Sequence, residues 1–136
     1  MMFMLDTDIC IYLINERDEA LRERFEANAS GICISAITHA ELRYGAAHSA
    51  GVEENTREIE AFCLDLDILP FDVAAGVHYG ETRQALVRRG RPIGANDLLI
   101  AAHARSAGAT LVTNNEGEFG RVPGLRMENW LEEGAK

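Results

Sequence analysis

The chain has 136 residues, 47% hydrophobic and 26% charged, which suits one globular core and excludes an intrinsically disordered or fibrous protein. The net charge of −9, from 22 acidic and 13 basic residues, excludes non-specific binding of polyanions by the whole surface. No apolar run approaches the roughly 20 residues of a bilayer span, and the start lacks a basic signal-peptide segment, so we expect a cytoplasmic protein without membrane contact.

Short apolar segments typical of β-strands alternate with helical segments along the chain. In chain order we predict a strand at residues 2–5, helices at 7–15 and 17–28, a strand at 32–34, helices at 37–49 and 53–66, a strand at 68–71, helices at 73–89 and 97–107, and strands at 109–112 and 125–127. This pattern predicts an α/β fold whose central parallel sheet is flanked by helices on both faces. We expect one domain over residues 1–131 and a polar tail at residues 132–136.

Acidic residues follow the predicted strands or open the helices behind them. Asp6 comes directly after the first strand, Glu41 lies on the helix after the second, and Asp97 opens an almost wholly apolar helix. Groups beyond the carboxyl ends of parallel strands converge on one crevice, so we expect these acids to meet. Asp6 and Asp97 have apolar neighbours, and a buried carboxylate is costly unless it is paired. Oxygen ligands of this kind predict a Mg²⁺ or Mn²⁺ site.

A purely structural interpretation stays open for each of these residues. Asp, Ser, Thr and Asn cap helix starts, and Thr38 with Glu41 has the spacing of a capping box. Asn96 could likewise cap the helix that Asp97 opens. The three cysteines have no CxxC spacing, which indicates thiols rather than disulfides or a zinc site.

Four segments in this order resemble one family. They are LDTDI at residues 5–9, ISAITHAELRYG at 34–45, PIGANDLLIAAHA at 92–104 and LVTNNEGEFGRVPGL at 111–125. Together they resemble the PIN-domain ribonuclease toxins of the VapC type, the toxin halves of toxin–antitoxin modules. The likeness extends over nearly the whole chain, from Met4 to Trp130.

The resemblance implies a three-layer PIN-like fold and an endoribonuclease that cleaves RNA, such as transfer or ribosomal RNA, by metal-activated water. The implied cofactor is Mg²⁺, for which Mn²⁺ can substitute, and the implied partners are a cognate antitoxin and a second copy of the chain. The family's acids fall on Asp6, Glu41 and Asp97 as catalytic residues and metal ligands. The fourth catalytic position, often Asp, is Asn115 here, which leaves open whether Asn115 or Glu118 acts there.

Several further residues follow from the resemblance or from their place beside these motifs. Thr7, Ser35 and Thr113 fall on positions that support the carboxylates or bound waters in the family. The arginines around the third and fourth motifs are candidates for RNA phosphate contacts: Arg83, Arg88, Arg89, Arg91, Arg121 and Arg126. The four histidines show no metal-binding spacing, and we interpret them as structural or surface residues. For the antitoxin we expect an apolar groove on the first two helices: Ile11, Tyr12, Leu21 and Phe25.

Two other functions fit part of the pattern. Asp6 and Asp8 after a strand are also typical of aspartate-based phosphatases, but these need a lysine at a later strand end, and the only lysine is Lys136. A catalytically silent PIN-like binding module is the second alternative. The intact acids argue against it, whereas Asn115 keeps it open.

Overall fold

A five-stranded parallel sheet lies at the centre of the protein. The computed structural model describes residues 1–131, so the predicted tail lies outside the described residues. The strands are β1 (Phe3–Leu5), β2 (Ile32–Ser35), β3 (Asp67–Leu69), β4 (Thr110–Val112) and β5 (Met127–Glu128). The helices are α1 (Thr7–Ile14), α2 (Glu19–Ala27), α3 (Ala36–Ala47), α4 (Val52–Cys63), α5 (Val73–Arg88), α6 (Ala95–Ala107) and α7 (Glu116–Phe119).

The strand order is β3-β2-β1-β4-β5, and every neighbouring pair is parallel. Central β1 pairs Met4 with Cys33 of β2 on one side and with Leu111 of β4 on the other. After β1 the chain adds β2 and β3 on one side, and it then crosses to the other side of β1 to add β4 and β5. The order of the strands therefore reverses between β1 and β4. The carboxyl ends of these two strands form the crevice in which sheets of this kind bind their ligands.

Residues that alternate along the strands contribute to two separate cores. Phe3 and Leu5 pack on one face with α1–α4, whereas Met4 packs on the other with α5 and α6. Because side chains alternate across a strand, fully buried strands require helices on both faces. The predicted layering of helices on both sides of a parallel sheet is confirmed.

The element boundaries differ from the sequence prediction where local chemistry intervenes. β3 ends at Leu69 rather than at residue 71, because Pro70 has no backbone N–H for the sheet. β5 begins two residues later than predicted, after a turn in which Gly124 has a φ of 77°. The short helix α7 was not predicted, since four residues are too few for a recognisable apolar period.

Two of the caps that the sequence offered are not formed. Ser35 caps α3 by accepting from the Ile37 N–H at 3.0 Å, so Thr38 and Glu41 lie inside the helix and form no capping box. Gly94 occupies the N-cap of α6, which leaves the side chain of Asn96 available for another contact. Within residues 1–131, no helix is long and apolar enough to cross a membrane.

Candidate active site

The carboxyl ends of the strands open into a small pocket of about 220 Å³. Its lining joins segments that are distant in sequence: Asp6, Thr7, Asp8, Glu41, Asp97, Asn115 and Phe119. Asp6 directly follows β1, Asn115 follows β4, and Glu41 and Asp97 are carried by α3 and α6. The structure thus brings all four predicted site residues into one pocket.

Asp6 is the most deeply buried acid of this pocket, with 4% of its surface exposed. Its carboxylate caps α1 by accepting from the Ile9 N–H at 2.9 Å and is also bonded by Thr113. Burial raises the pKa of Asp6 to about 6, although these two hydrogen bonds lower it in part. The charges of Asp8 and Glu41 act in the same direction as burial and are part of this net shift. Capping and membership of the acid cluster are therefore simultaneous roles of this side chain.

Glu41 is held by two neighbours, one on each carboxylate oxygen. The Thr7 hydroxyl donates to Oε1, and the Asn96 amide donates from Nδ2 to Oε2 at 3.0 Å. Thr7 follows β1 and Asn96 lies in the first turn of α6, so Glu41 connects three elements. These contacts fix the direction in which its carboxylate points.

Asp97 shares its environment with Glu118 of α7. Burial raises the pKa of Asp97 to about 7, and the charge of Glu118, a hydrogen bond to Glu118 and the charges of Glu41 and Asp6 act in the same direction. Burial also raises the pKa of Glu118, but its net shift is downward because it accepts from the Gly94 N–H, from Asn115 and from Asp97. The two shifts run in opposite directions, so Asp97 is the member of this pair that holds a shared proton more readily.

Asn115 is tied to Glu118 rather than to the other acids. Its Nδ2 donates to Glu118 Oε2 at 2.7 Å, and its backbone N–H donates to Thr113 Oγ1 at 2.9 Å. An amide whose nitrogen is engaged in this way keeps its carbonyl oxygen as an acceptor. Asn115 and Glu118 are therefore in direct contact at the fourth position, where the sequence left open which of the two acts.

No arginine of residues 1–131 forms an ion pair with Asp6, Glu41 or Asp97. Nor do any three acidic, histidine or cysteine side chains of these residues stand, as placed, in an arrangement that could hold one metal ion. Glu41 and Asp97 engage hydrogen-bond partners instead. The candidate ligand atoms are all oxygens, and burial together with neighbouring carboxylate charges raises the pKa of Asp6 and of Asp97. This chemistry fits a hard divalent cation.

Four further residues considered in the sequence analysis lie outside the pocket and form hydrogen bonds elsewhere. Ser35 and His103 are buried and hydrogen-bonded at 2.8 Å, which joins the start of α3 to α6. Arg121 donates to the Pro92 carbonyl at 3.1 Å, and its charge lowers the pKa of Glu118. Arg126 donates to the Gly108 carbonyl, which precedes β4 and so lies at the end of that strand opposite Asn115.

The chain is similar along nearly its whole length to proteins of one family. A family model of the PIN domain matches residues 3–125. The tRNA(fMet)-specific endonuclease VapC of Shigella flexneri is 50% identical over 128 residues, 94% of this chain and 97% of that protein. Ribonuclease VapC2 of Haemophilus influenzae is 47% identical over 129 residues, 95% of this chain and 98% of that protein. The chain belongs to the VapC ribonuclease toxins of the PIN-domain family.

The solved structures agree with this membership. VapBC2 from Rickettsia felis, bound to a DNA fragment from its promoter, matches with a TM-score of 0.91 and 44% identity, over 96% of this chain and 99% of that chain. The predicted PIN-like fold is therefore confirmed. Membership also decides the reaction class in favour of a ribonuclease over an aspartate-based phosphatase.

Proposed function

We propose that the protein is a divalent-metal-dependent endoribonuclease in which Asp6, Glu41 and Asp97 hold Mg²⁺ or Mn²⁺, and Asn115 and Glu118 complete the site. The observation that carries this proposal is that Asp6, Glu41 and Asp97 line one pocket while none of them forms an ion pair with an arginine of residues 1–131. Carboxylates that repel one another bind a cation more strongly, because the cation removes the repulsion. Acids that only cap helices would not need to lie in one pocket.

The chain's own residues position the reaction. When bound, the ion supplies a Lewis acid that neutralises charge on the scissile phosphate and lowers the pKa of a water. Thr7 and Asn96 orient the Glu41 carboxylate. The Ile9 N–H and Thr113 hold that of Asp6. Hydrolysis of the P–O3′ bond leaves a 5′-phosphate and a 3′-hydroxyl, and no covalent enzyme intermediate is needed.

The RNA class that we propose is transfer RNA, because the Shigella flexneri relative, 50% identical, is named a tRNA(fMet)-specific endonuclease. The test uses purified, antitoxin-free protein and total transfer RNA, with Mg²⁺ or with a chelator. Discrete 5′-phosphorylated fragments that require the metal support the proposal. Intact RNA under all metal conditions leaves the catalytically silent module as the better account.

For the antitoxin we propose a groove beside the acids, between α1, α3 and α4. Ile11, Leu42 and Ile59 line it, and Glu41 borders both this groove and the acid pocket. An amphipathic segment lying here can present a basic side chain to the acids. The prediction that the groove lies on the first two helices was wrong for α2. Leu21 is fully buried, and the ring of Phe25 stacks on that of Phe62 with 6.0 Å between the ring centres. Replacing exposed Ile11 by serine should weaken antitoxin binding in calorimetry; unchanged affinity would exclude this groove.

For the homodimer we propose the exposed face of α5. Val73 and Val77 are 86% and 59% exposed, and a Cβ added at Gly76 or Gly80 would have nothing within 4 Å. These four residues recur on one side of the helix, which gives an apolar stripe over which a second helix can approach closely. A second copy of the chain is the occupant that a symmetric, self-complementary contact requires.

A further inference from the structure

We propose that a cavity between α5 and the start of α6 binds one unpaired nucleobase of the RNA, an inference that rests on the proposed ribonuclease function. The cavity measures about 230 Å³, below the usual volume of a site for a drug-sized ligand and suited to a single planar ring. Its principal lining is Tyr79, Arg83, Leu86, Pro92, Ile93 and Leu98.

The lining provides stacking surfaces over an apolar floor. Arg83 donates to the Tyr79 hydroxyl at 2.9 Å, and its guanidinium lies 6.0 Å from the centre of the Tyr79 ring. Leu86 and Leu98 are buried beneath them. Unpaired RNA bases stack on aromatic rings and on guanidinium planes, and such stacking tolerates different bases because each has a planar face.

The cavity and the acid pocket lie on two sides of the loop that joins α5 to α6. Ile93 and Ala95 line the cavity. Gly94, between them, faces the acids: its N–H donates to Glu118 at 2.8 Å, and a Cβ added there would lie 3.7 Å from Asp97 Oδ2. If the scissile phosphate of an RNA strand lies at Asp97, a neighbouring nucleotide of the same strand therefore lies beside the cavity.

The charge around the cavity favours RNA as its occupant. Arg88 ends α5, Arg89 and Arg91 follow it in the loop to α6, and all three are exposed. Arg121 contacts the Pro92 carbonyl in the same loop. These arginines are concentrated here although the net charge of the chain is −9. Arginine is the side chain best suited to phosphate, because its planar fork binds two oxygens. An apolar peptide would gain nothing from this concentration of positive charge. A base in the cavity places its flanking phosphates among these arginines.

The test is an abasic scan of a short hairpin RNA with an unpaired loop. Each loop nucleotide is replaced in turn by an abasic one, and the Kd is measured by fluorescence anisotropy in Mg²⁺. All proteins carry Asp97→Asn so that the probe stays intact. Tyr79→Leu and Arg83→Gln are compared with this parent and with Arg22→Gln, which changes an exposed arginine of α2 that is paired with Glu16.

We expect one abasic position to weaken binding by the parent about tenfold, within the range for the loss of one stacked base. Tyr79→Leu should bind the intact probe about tenfold more weakly and lose nothing further at that position. Arg83→Gln should show the same pattern in smaller measure, and Arg22→Gln should match the parent. Should Tyr79→Leu fail to fold, Arg83→Gln, an exposed side chain, decides the question.

Binding by Tyr79→Leu and Arg83→Gln that equals the parent's would overturn the base site, as would an abasic penalty that persists in both variants. An effect of these variants on antitoxin affinity alone would overturn it too. The failure of the ribonuclease proposal has a different signature, because the unsubstituted protein would then leave RNA intact at every metal concentration.

Discussion

Asn96 and Glu41, 55 residues apart, are joined by a hydrogen bond of 3.0 Å from the amide Nδ2 to the carboxylate Oε2. The bond joins the first turn of α6 to the middle of α3. Asn96 directly precedes Asp97 in the sequence, so the bond links the helix of one candidate ligand to the carboxylate of another. An exposed amide therefore takes part in orienting a carboxylate of the candidate metal site. Supporting partners of this kind tune metal affinity without touching the ion.

The first prediction concerns this bond. Asn96→Ala should lower metal-dependent RNA cleavage about tenfold and shift the Mg²⁺ requirement upward, because Glu41 keeps only Thr7 as a partner. Thermal stability should change little, since Asn96 is exposed. Asn28→Ala removes another side-chain amide, one that forms an exposed hydrogen bond to the Arg24 carbonyl, and serves as the control. Equal Mg²⁺ curves for the two variants would exclude a role for Asn96 in the site.

The second prediction concerns the stability of the metal-free protein against pH. The pKa of Asp6 is about 6 in the folded protein and near 3.8 when unperturbed, so between these values the folded state holds a proton that the unfolded chain has released. The free energy of unfolding should therefore fall as pH rises from about 4 to about 6. Asp6→Asn should melt higher than the unsubstituted protein at pH 7 in a chelator, with the difference vanishing near pH 4.

Asp18→Asn is the control for that measurement, since Asp18 also caps a helix by accepting from a backbone N–H, that of Leu21, at 2.9 Å. It does not line the acid pocket. A difference between Asp6→Asn and the unsubstituted protein that is the same at every pH would mean that burial of the charge does not govern stability here.

The third prediction separates Asn115 from Glu118. Glu118→Gln should weaken Mn²⁺ binding about tenfold, because it removes a carboxylate that contacts both Asp97 and Asn115. Asn115→Asp should tighten Mn²⁺ binding, since an added ligand charge raises cation affinity. The same substitution should lower the melting temperature in a chelator, because it sets a second carboxylate against Glu118. Calorimetric titration measures both affinities, and two unchanged values would place residues 115–118 outside the metal's surroundings.

The fourth prediction concerns the exposed face of α5. Val77→Glu places a charge in the middle of the stripe and should convert a dimer into a monomer in sedimentation velocity. Val52→Glu, at an exposed valine of α4, provides the control and should leave the dimer intact. A dimer that survives Val77→Glu would show that another surface joins the two copies.

Much of the fold could be predicted because the sequence pattern is consistent from end to end. Continuous apolar strands with helices between them leave few arrangements other than a parallel sheet covered on both faces. That arrangement alone gathers Asp6, Glu41 and Asp97, since parallel strands end at one edge. Strand ends were less certain, as β3 shows by stopping before Pro70.

The contacts that shape the site could not be predicted in the same way. Whether Asn96 reaches Glu41 depends on how α6 packs beside α3, which no local pattern encodes. The same holds for the Gly94 N–H and Glu118, 24 residues apart. Leu21 was expected on the surface but is fully buried, because an apolar position on a helix does not reveal which face is covered.

The proposed function requires the acids of the pocket for RNA cleavage. Its most direct test compares the rates at which purified Asp6→Asn, Asp97→Asn and the capping control Asp18→Asn cleave transfer RNA in Mg²⁺. We predict that the first two lose at least about a hundredfold in rate while remaining folded, because each removes a carboxylate from the proposed metal site. Asp18→Asn should cleave at the rate of the unsubstituted protein. Full activity of Asp6→Asn or Asp97→Asn at saturating metal would contradict the assignment.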